Sequence, residues 1–344
     1  MQQDEDRLRA WPLAMFFLTP TVRAFYSNGV ESESKTMPPP AAPLRPPAQL
    51  AADMGWQRNF LFSPDNVRLC WREFHDPSVP ADRPALLCLA GLTRNGGDFA
   101  HLGAALGRQW RIIAPDLRGR GESGWARDSL SYVSLVYLRD LSLLLEAAGV
   151  SRFVVLGNSL GGLIGLRLTT AHRAAMAGVI LNDIGPTIEP DGLSRLRANV
   201  GRGGNWETWI HAARDLGQRN AANHPDWGLH DWLAFAKRLC RVSPQGRIIF
   251  DYDPRIAEPF RLPHGDAGAD DWAALHSLKG LPALSLRGEL SDMFSASSQD
   301  QMARRLPGMM AVTVPRVGHA PTLAEPAAAA ALVQFLDGIK KGEG

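Results

Sequence analysis

RFVVLGNSLGGLIGLRLTTAHR, residues 152–173, sets an apolar, β-branched run directly against a serine enclosed by glycines. The first residues read as a buried strand, and the segment after Ser159 carries a helical pattern. Gly157-Asn158-Ser159-Leu160-Gly161 fits G-x-S-x-G, which is weak as a bare pattern because small residues cluster often. A strand before it and a helix after it make it specific, since that is the sharp turn that exposes a serine hydroxyl at the edge of a sheet. Any side chain at Gly157 or Gly161 would collide with the neighbouring strand and helix, and Gly162 eases the helix's approach to the sheet. The competing reading is a serine that only caps the following helix.

The chain on either side favours the turn. PALLCLAG (84–91), WRIIAPD (110–116), MAGVILND (176–183), LPALSLRG (281–288) and MMAVTVPR (309–316) are short continuous apolar runs of the kind buried parallel strands show. Helical patterns lie between most of them. In SLVYLRDLSLLLEAAG, Leu135, Leu138, Leu141, Leu144 and Leu145 recur at helical spacing, and Gly149 stands where a C-terminal cap belongs. Upstream, NFLFSPDNVRLCWREF predicts an antiparallel hairpin around Ser63-Pro64-Asp65-Asn66. Alternating strands and helices predict an α/β fold, a mostly parallel sheet covered on both faces.

Almost one hundred residues separate Asp183 from Leu281, too many for a loop, and this stretch is expected to form an inserted helical cap over about 184–280. GLSRLRANV and HDWLAFAKRLC within it read as helices, and it holds Trp206, Trp209, Trp227, Trp232 and Trp272. Residues 38–47, PPPAAPLRPP, contain six prolines and suit neither a helix interior nor a sheet centre. The fold is therefore expected to begin near residue 55, with 1–54 a disordered extension and Met37 or Met54 alternative starts.

Composition narrows the partners. Apolar residues make up 45% and charged residues 21%, with a net charge of +2, so neither disorder nor a nucleic-acid partner is indicated. Cys70, Cys88 and Cys240 are too few and too scattered for a disulfide framework or a zinc site. WPLAMFFL (11–18) is too short to span a membrane; acidic residues precede it and no cleavage signature follows, which points to a cytoplasmic chain. A small-molecule substrate fits best.

A serine hydroxyl needs a base, and the base needs an orienting carboxylate. His319, in VTVPRVGHAPTL, follows the last predicted strand and precedes the final helix, where catalytic loops lie; His264 and His276 read as ordinary cap histidines. Asp292, in GELSDMF, gives the order Ser159, Asp292, His319 and stands first for the acid, with Asp183 and Glu289 as rivals. The backbone N–H groups of Leu160 and Leu92 are the expected oxyanion donors. Arg94 is a candidate for gripping a substrate carboxylate, and Trp206 and Trp209 for lining an apolar pocket, although loop arginines are often merely solvated and tryptophans often cap core.

With these residues assembled, the chain from about Gly55 onward resembles the α/β-hydrolase superfamily. The likeness rests on LAGLTRNGGDF, PDLRGRGESG (115–124), GNSLGG, RGELSD and VGHAPTL; LNDIGP (181–186) and DYDP (251–254) are similar to a bacterial capped group. It implies an eight-stranded sheet, a Ser-His-Asp triad, no metal and no organic cofactor. Ala90-Gly91 departs from the His-Gly with which many members open the oxyanion loop. Asp116, Arg118 and Arg120 read better as a network bracing loops than as catalysts. The leading expectation is a serine hydrolase of small to medium carboxylic esters, carboxylesterase-like, acting on an ester or lactone. Hydrolysis of a carbon–carbon bond in ring-cleavage products, or of an enol-lactone, is the alternative, and a non-catalytic binding protein the third. Serine at 159 excludes ordinary haloalkane dehalogenases and epoxide hydrolases, which need an aspartate there.

Overall fold

The computed structural model of the protein describes residues 55–261 and 270–341. The expected extension over 1–54 and His264 lie outside the described residues. Eight strands form one sheet: β1 (Gln57–Phe62), β2 (Arg68–Phe74), β3 (Ala85–Leu89), β4 (Ile112–Asp116), β5 (Phe153–Asn158), β6 (Met176–Asn182), β10 (Ala283–Gly288) and β11 (Met310–Val314). The other three strands belong to the insertion described below. In space the order is β1-β2-β4-β3-β5-β6-β10-β11, antiparallel from β1 through β4 and parallel from β4 to β11. The order reverses at β3, which has β4 on one side and β5 on the other. At such a switch point the loops leaving two neighbouring strands diverge and open a crevice at the carboxyl ends.

Strand alternation divides the core. Phe153 and Val155 of β5 face one apolar cluster, Val154 and Leu156 the other. The first cluster is covered by α2 (Ser134–Ala147), α3 (Leu160–Arg167), α7 (Asp271–His276) and α8 (Ala296–Arg305). The second is covered by α1 (Ala100–Leu106) and α9 (Pro326–Lys341). The stripe expected on α2 is offset: Tyr137, Leu141, Leu144 and Leu145 are buried, whereas Leu135 faces solvent. Asp140 lies on the same buried side because Arg118 needs it, with donor distances of 2.6 and 2.9 Å.

Between β6 and β10 the chain leaves the sheet. It forms α4 (Pro190–Asn199), β7 (Asn205–Trp206), α5 (Trp209–Asn220), α6 (Leu229–Leu239), β8 (Cys240–Val242) and β9 (Ile248–Phe250). The all-helical expectation omitted these strands, which pair antiparallel in the order β7-β9-β8. Strands of two or three residues leave too little alternation to read. The insertion has its own apolar cluster, in which Ala212, Leu216, Trp232 and Ala236 are buried and Trp206 and Trp209 pack around them. No described helix is long and apolar enough to cross a membrane.

Candidate active site

Ser159 stands between β5 and α3 with φ 53° and ψ −120°, a conformation that costs energy for any side chain with a Cβ. The space explains why glycines surround it. A Cβ on Gly161 would lie 2.0 Å from the Leu89 carbonyl oxygen, and one on Gly157 would lie 2.4 Å from Gly162 Cα. The strand, the turn and the helix thus touch backbone to backbone. The Cβ position of Gly91, in the loop after β3, lies 3.7 Å from Ser159 Cβ, so that loop runs directly beside the serine.

The loop after β11 brings His319 to the serine, its Nε2 lying 2.8 Å from Ser159 Oγ. Its Nδ1 lies 2.6 Å from Asp183 Oδ2. An ionised carboxylate only accepts, so Nδ1 carries the proton and Nε2 is left to accept from the serine hydroxyl. Asp183 is fully buried and ends β6 in a left-handed turn, φ 56°. Its other donors are the Gly288 N–H at 2.7 Å and the Ser291 hydroxyl at 2.6 Å. The end of β10 therefore meets the Asp183 carboxylate with a backbone N–H and a hydroxyl.

Asp292, first choice for the acid, is not the carboxylate hydrogen-bonded to His319, although the His319 charge acts on it. It lies at the surface, where Arg195 of α4 donates to both its carboxylate oxygens at 2.6 and 2.7 Å. Partial burial acts to raise its pKa, but the hydrogen bonds and charge of Arg195, with a smaller contribution from the His319 charge, together outweigh this and hold the carboxyl below its ordinary range. Glu289 also lies elsewhere, accepting the Arg316 N–H at 2.7 Å. His276 is exposed at the end of α7.

The loop carrying Leu92 is anchored from both sides. Arg94 N–H donates to Gly91 O at 3.0 Å, so the trans peptide directs the Leu92 N–H to the opposite edge. Arg120 Nε donates to Leu92 O at 2.8 Å. Asp116 accepts the Gly96 N–H at 2.7 Å and a guanidinium N–H of Arg72 at 2.9 Å. The PDLRGRGESG segment thus holds the loop in place by buried charge-assisted bonds. Leu160 opens α3, so its N–H has no intrahelical acceptor.

Ser159, His319 and Leu92 open onto a cavity of about 680 Å³ roofed by the insertion. Its aromatic lining comes from Phe99, Trp227, Phe235, Phe250 and Tyr252. Trp206 and Trp209 do not line it. Trp206 turns into the insertion's core, donating to Asp215 at 3.0 Å and packing edge-on against Phe250. Arg94 does line the cavity, but its guanidinium is taken by Asp98 and rests 4.4 Å from the Phe235 ring. His224 and Arg238, both from the insertion, also line it and carried no motif by which the sequence marks them. Among the described residues no group of three or more His, Cys, Asp and Glu is placed to hold a metal ion.

Comparison with known proteins agrees with this architecture. Residues 84–326 match the family model described as alpha/beta hydrolase fold. The crystal structure of an alpha/beta hydrolase from Novosphingobium aromaticivorans superposes with a TM-score of 0.78 at 45% identity, over 82% of this chain and 98% of that one. The 3-hydroxybutyrate-oligomer hydrolase of Cupriavidus necator is 32% identical over 282 residues, 79% of this chain and 93% of that protein. E-2-(acetamidomethylene)succinate hydrolase shares the fold, with a TM-score of 0.67 at 22% identity over 82% of this chain and 99% of that one.

Proposed function

Because the chain belongs to the alpha/beta hydrolase family, we propose that it is a serine hydrolase of carboxylic esters, with Ser159 as nucleophile, His319 as general base and Asp183 as the orienting acid. The observation that carries this reading is the unbroken line from Asp183 Oδ2 through His319 to Ser159 Oγ, at 2.6 and 2.8 Å. Serine attacks the acyl carbon as its proton passes to Nε2, and buried Asp183 stabilises the imidazolium that forms. The tetrahedral oxyanion takes the N–H groups of Leu160 and Leu92. Collapse expels the alkoxide, which leaves as an alcohol with the proton from His319. Water then attacks the acyl-enzyme, gives its proton to His319 and releases the acid, and the proton returns to Ser159.

Ester specificity is supported by the relative from Cupriavidus necator, whose name describes a hydrolase of 3-hydroxybutyrate oligomers, chains joined by ester bonds. The cavity volume of about 680 Å³ suits a small to medium substrate. A panel of nitrophenyl esters of rising acyl length, run beside lactones and hydroxybutyrate dimers, tests the reading. A fluorophosphonate probe should label Ser159, and Ser159→Ala should abolish both labelling and ester turnover. Ester turnover that survives in Ser159→Ala would sink the proposal.

A further inference from the structure

We propose that the corner of the cavity formed by Arg94 and Arg238 is a carboxylate subsite, so that the substrate carries an anionic end several bonds from the carbon attacked by Ser159. This rests on the ester-hydrolase reading and adds to it a class of substrate. Five arginines line the cavity, Arg94, Arg195, Arg202, Arg219 and Arg238, against two aspartates, Asp98 and Asp231. Two of the arginines are neutralised at the rim, Arg195 by Asp292 and Arg219 by Asp215. In the corner beside the nucleophile, two guanidinium groups face one carboxylate. Arg94 takes both oxygens of Asp98, with Nε donating at 2.6 Å. Arg238 reaches the same carboxylate only at 3.9 Å, beyond hydrogen-bond distance.

Position makes the imbalance useful. The Cβ position of Gly91 lies 3.7 Å from Ser159 Cβ and 3.4 Å from Arg94 Cγ, so the Arg94 stem stands one residue's thickness from the nucleophile. Its guanidinium ends over Phe235, at 4.4 Å, and Arg238 is three residues further along α6, on the same helix face. The Arg238 side chain is 34% exposed, sheltered but open to the cavity. A guanidinium stays charged at any working pH and has five donors in a fixed fork that matches a carboxylate. Leaving those donors without an anion in a partly dry corner is costly unless a ligand or water supplies it.

A neutral donor or acceptor completes the corner. His224 lines the same cavity, is 6% exposed and stacks flat on Trp227 at 3.8 Å, and its Nδ1 has no hydrogen-bond partner among the described residues. Burial, then the charge of Arg94, lowers the Arg238 pKa. Burial also lowers that of His224, to about 4; the Glu325 charge opposes this, and the charges of Arg94 and Arg238 add to it. Burial is the main cause of both shifts; the neighbouring guanidinium charge adds to each, and that part a bound carboxylate would offset. Leu196, Val200, Leu216 and Met293 add apolar lining to the same cavity, as an aliphatic stem requires.

The test compares nitrophenyl half-esters of glutarate and adipate with neutral nitrophenyl valerate and hexanoate. Wild type should favour the acid over the neutral ester of equal length in kcat/KM by on the order of tenfold or more. Arg238→Gln should lower that acid-to-neutral ratio about tenfold, and Arg238→Lys should restore part of it. A wild-type ratio of one or less, or a ratio unchanged in Arg238→Gln, overturns the subsite. If Arg238→Gln does not fold, competitive inhibition of the wild type by monomethyl glutarate, and not by its neutral amide, supports the proposal; equal inhibition overturns it. If no ester is turned over, the ester reading fails separately, because calorimetry of monomethyl glutarate on Ser159→Ala still reads the subsite: binding upholds it and absence of binding overturns it.

Discussion

At the Asp183 carboxylate three donors converge: the His319 ring, the Gly288 N–H and the Ser291 hydroxyl. Asparagine there keeps the volume but loses the charge and offers an N–H to a ring nitrogen that also donates. The imidazole then turns to the wrong tautomer or leaves the serine. Asp183→Asn is expected to lower kcat by roughly 10³–10⁴-fold with KM little changed. Asp292→Asn is the contrasting variant: its ion pair with Arg195 is 41% and 38% exposed, and exposed pairs of this kind contribute little. Its kcat should stay within about twofold of wild type. Steady-state kinetics on a nitrophenyl ester read both, and the reverse ranking would return the acid to Asp292. That Ser159 and His319 would meet was legible because each sits at a strand end with a local signature. The carboxylate that meets His319 was less so: Asp183 and Asp292 both follow strands of the sheet, and the left-handed turn at Asp183 and its contact with Gly288 separate them. A hydrogen bond between residues 105 apart leaves no local pattern.

The strand–turn–helix element was read correctly because its requirement is steric and local. Two glycines of the chain test this by contrast. Gly149 caps α2 with φ 63° and has nothing within 4 Å of its Cβ position, whereas Gly161 would put a Cβ 2.0 Å from the Leu89 carbonyl oxygen. Gly149→Ala meets only the left-handed backbone strain and should cost about 1–2 kcal/mol. Gly161→Ala must push α3 off β3 and should cost more than ~4 kcal/mol, or prevent soluble expression. Urea denaturation of the two variants decides it, and similar losses would mean that the elbow relaxes freely. The buried strands of the sheet were legible for the same local reason, since a strand covered on both faces is a continuous apolar run. The insertion was not: β7, β8 and β9 span two or three residues each, and Trp206 and Trp209 face its own core where composition alone suggested a pocket.

At the scale of the described molecule, the insertion meets the sheet domain through apolar packing of Val200, Tyr252 and Ile256 and, around the cavity, through polar contacts. Gly318 N–H, one residue before His319, donates to Asn223 O at 2.6 Å. Asn95, in the loop beside the nucleophile, donates to Asp251 at 3.2 Å, beside the insertion's last strand. His224, one residue after Asn223, is buried at this junction, so its charge state bears on how the insertion sits. Burial is the main cause of its lowered pKa, the Arg94 and Arg238 charges add to it, and Glu325 opposes them; the net value is about 4 against an ordinary 6.5. The folded state therefore binds the proton less well than the unfolded state. Above pH 6.5 the ring is neutral in both states and carries no penalty; as pH falls towards 4 the unfolded state gains a proton that the folded state resists, and stability drops. The full loss is up to about 3 kcal/mol, reached near the folded pKa and constant below it. His224→Gln removes the titration while keeping a polar side chain. Urea unfolding measured from pH 7.5 to pH 4.5 should show the wild type losing about 2–3 kcal/mol more than His224→Gln over that span. Because carboxylates remote from His224 titrate equally in both proteins, the difference of slopes isolates His224 together with its coupling to Glu325. Parallel losses would show that the ring accepts its proton inside the fold, with the insertion moving or water entering to solvate it.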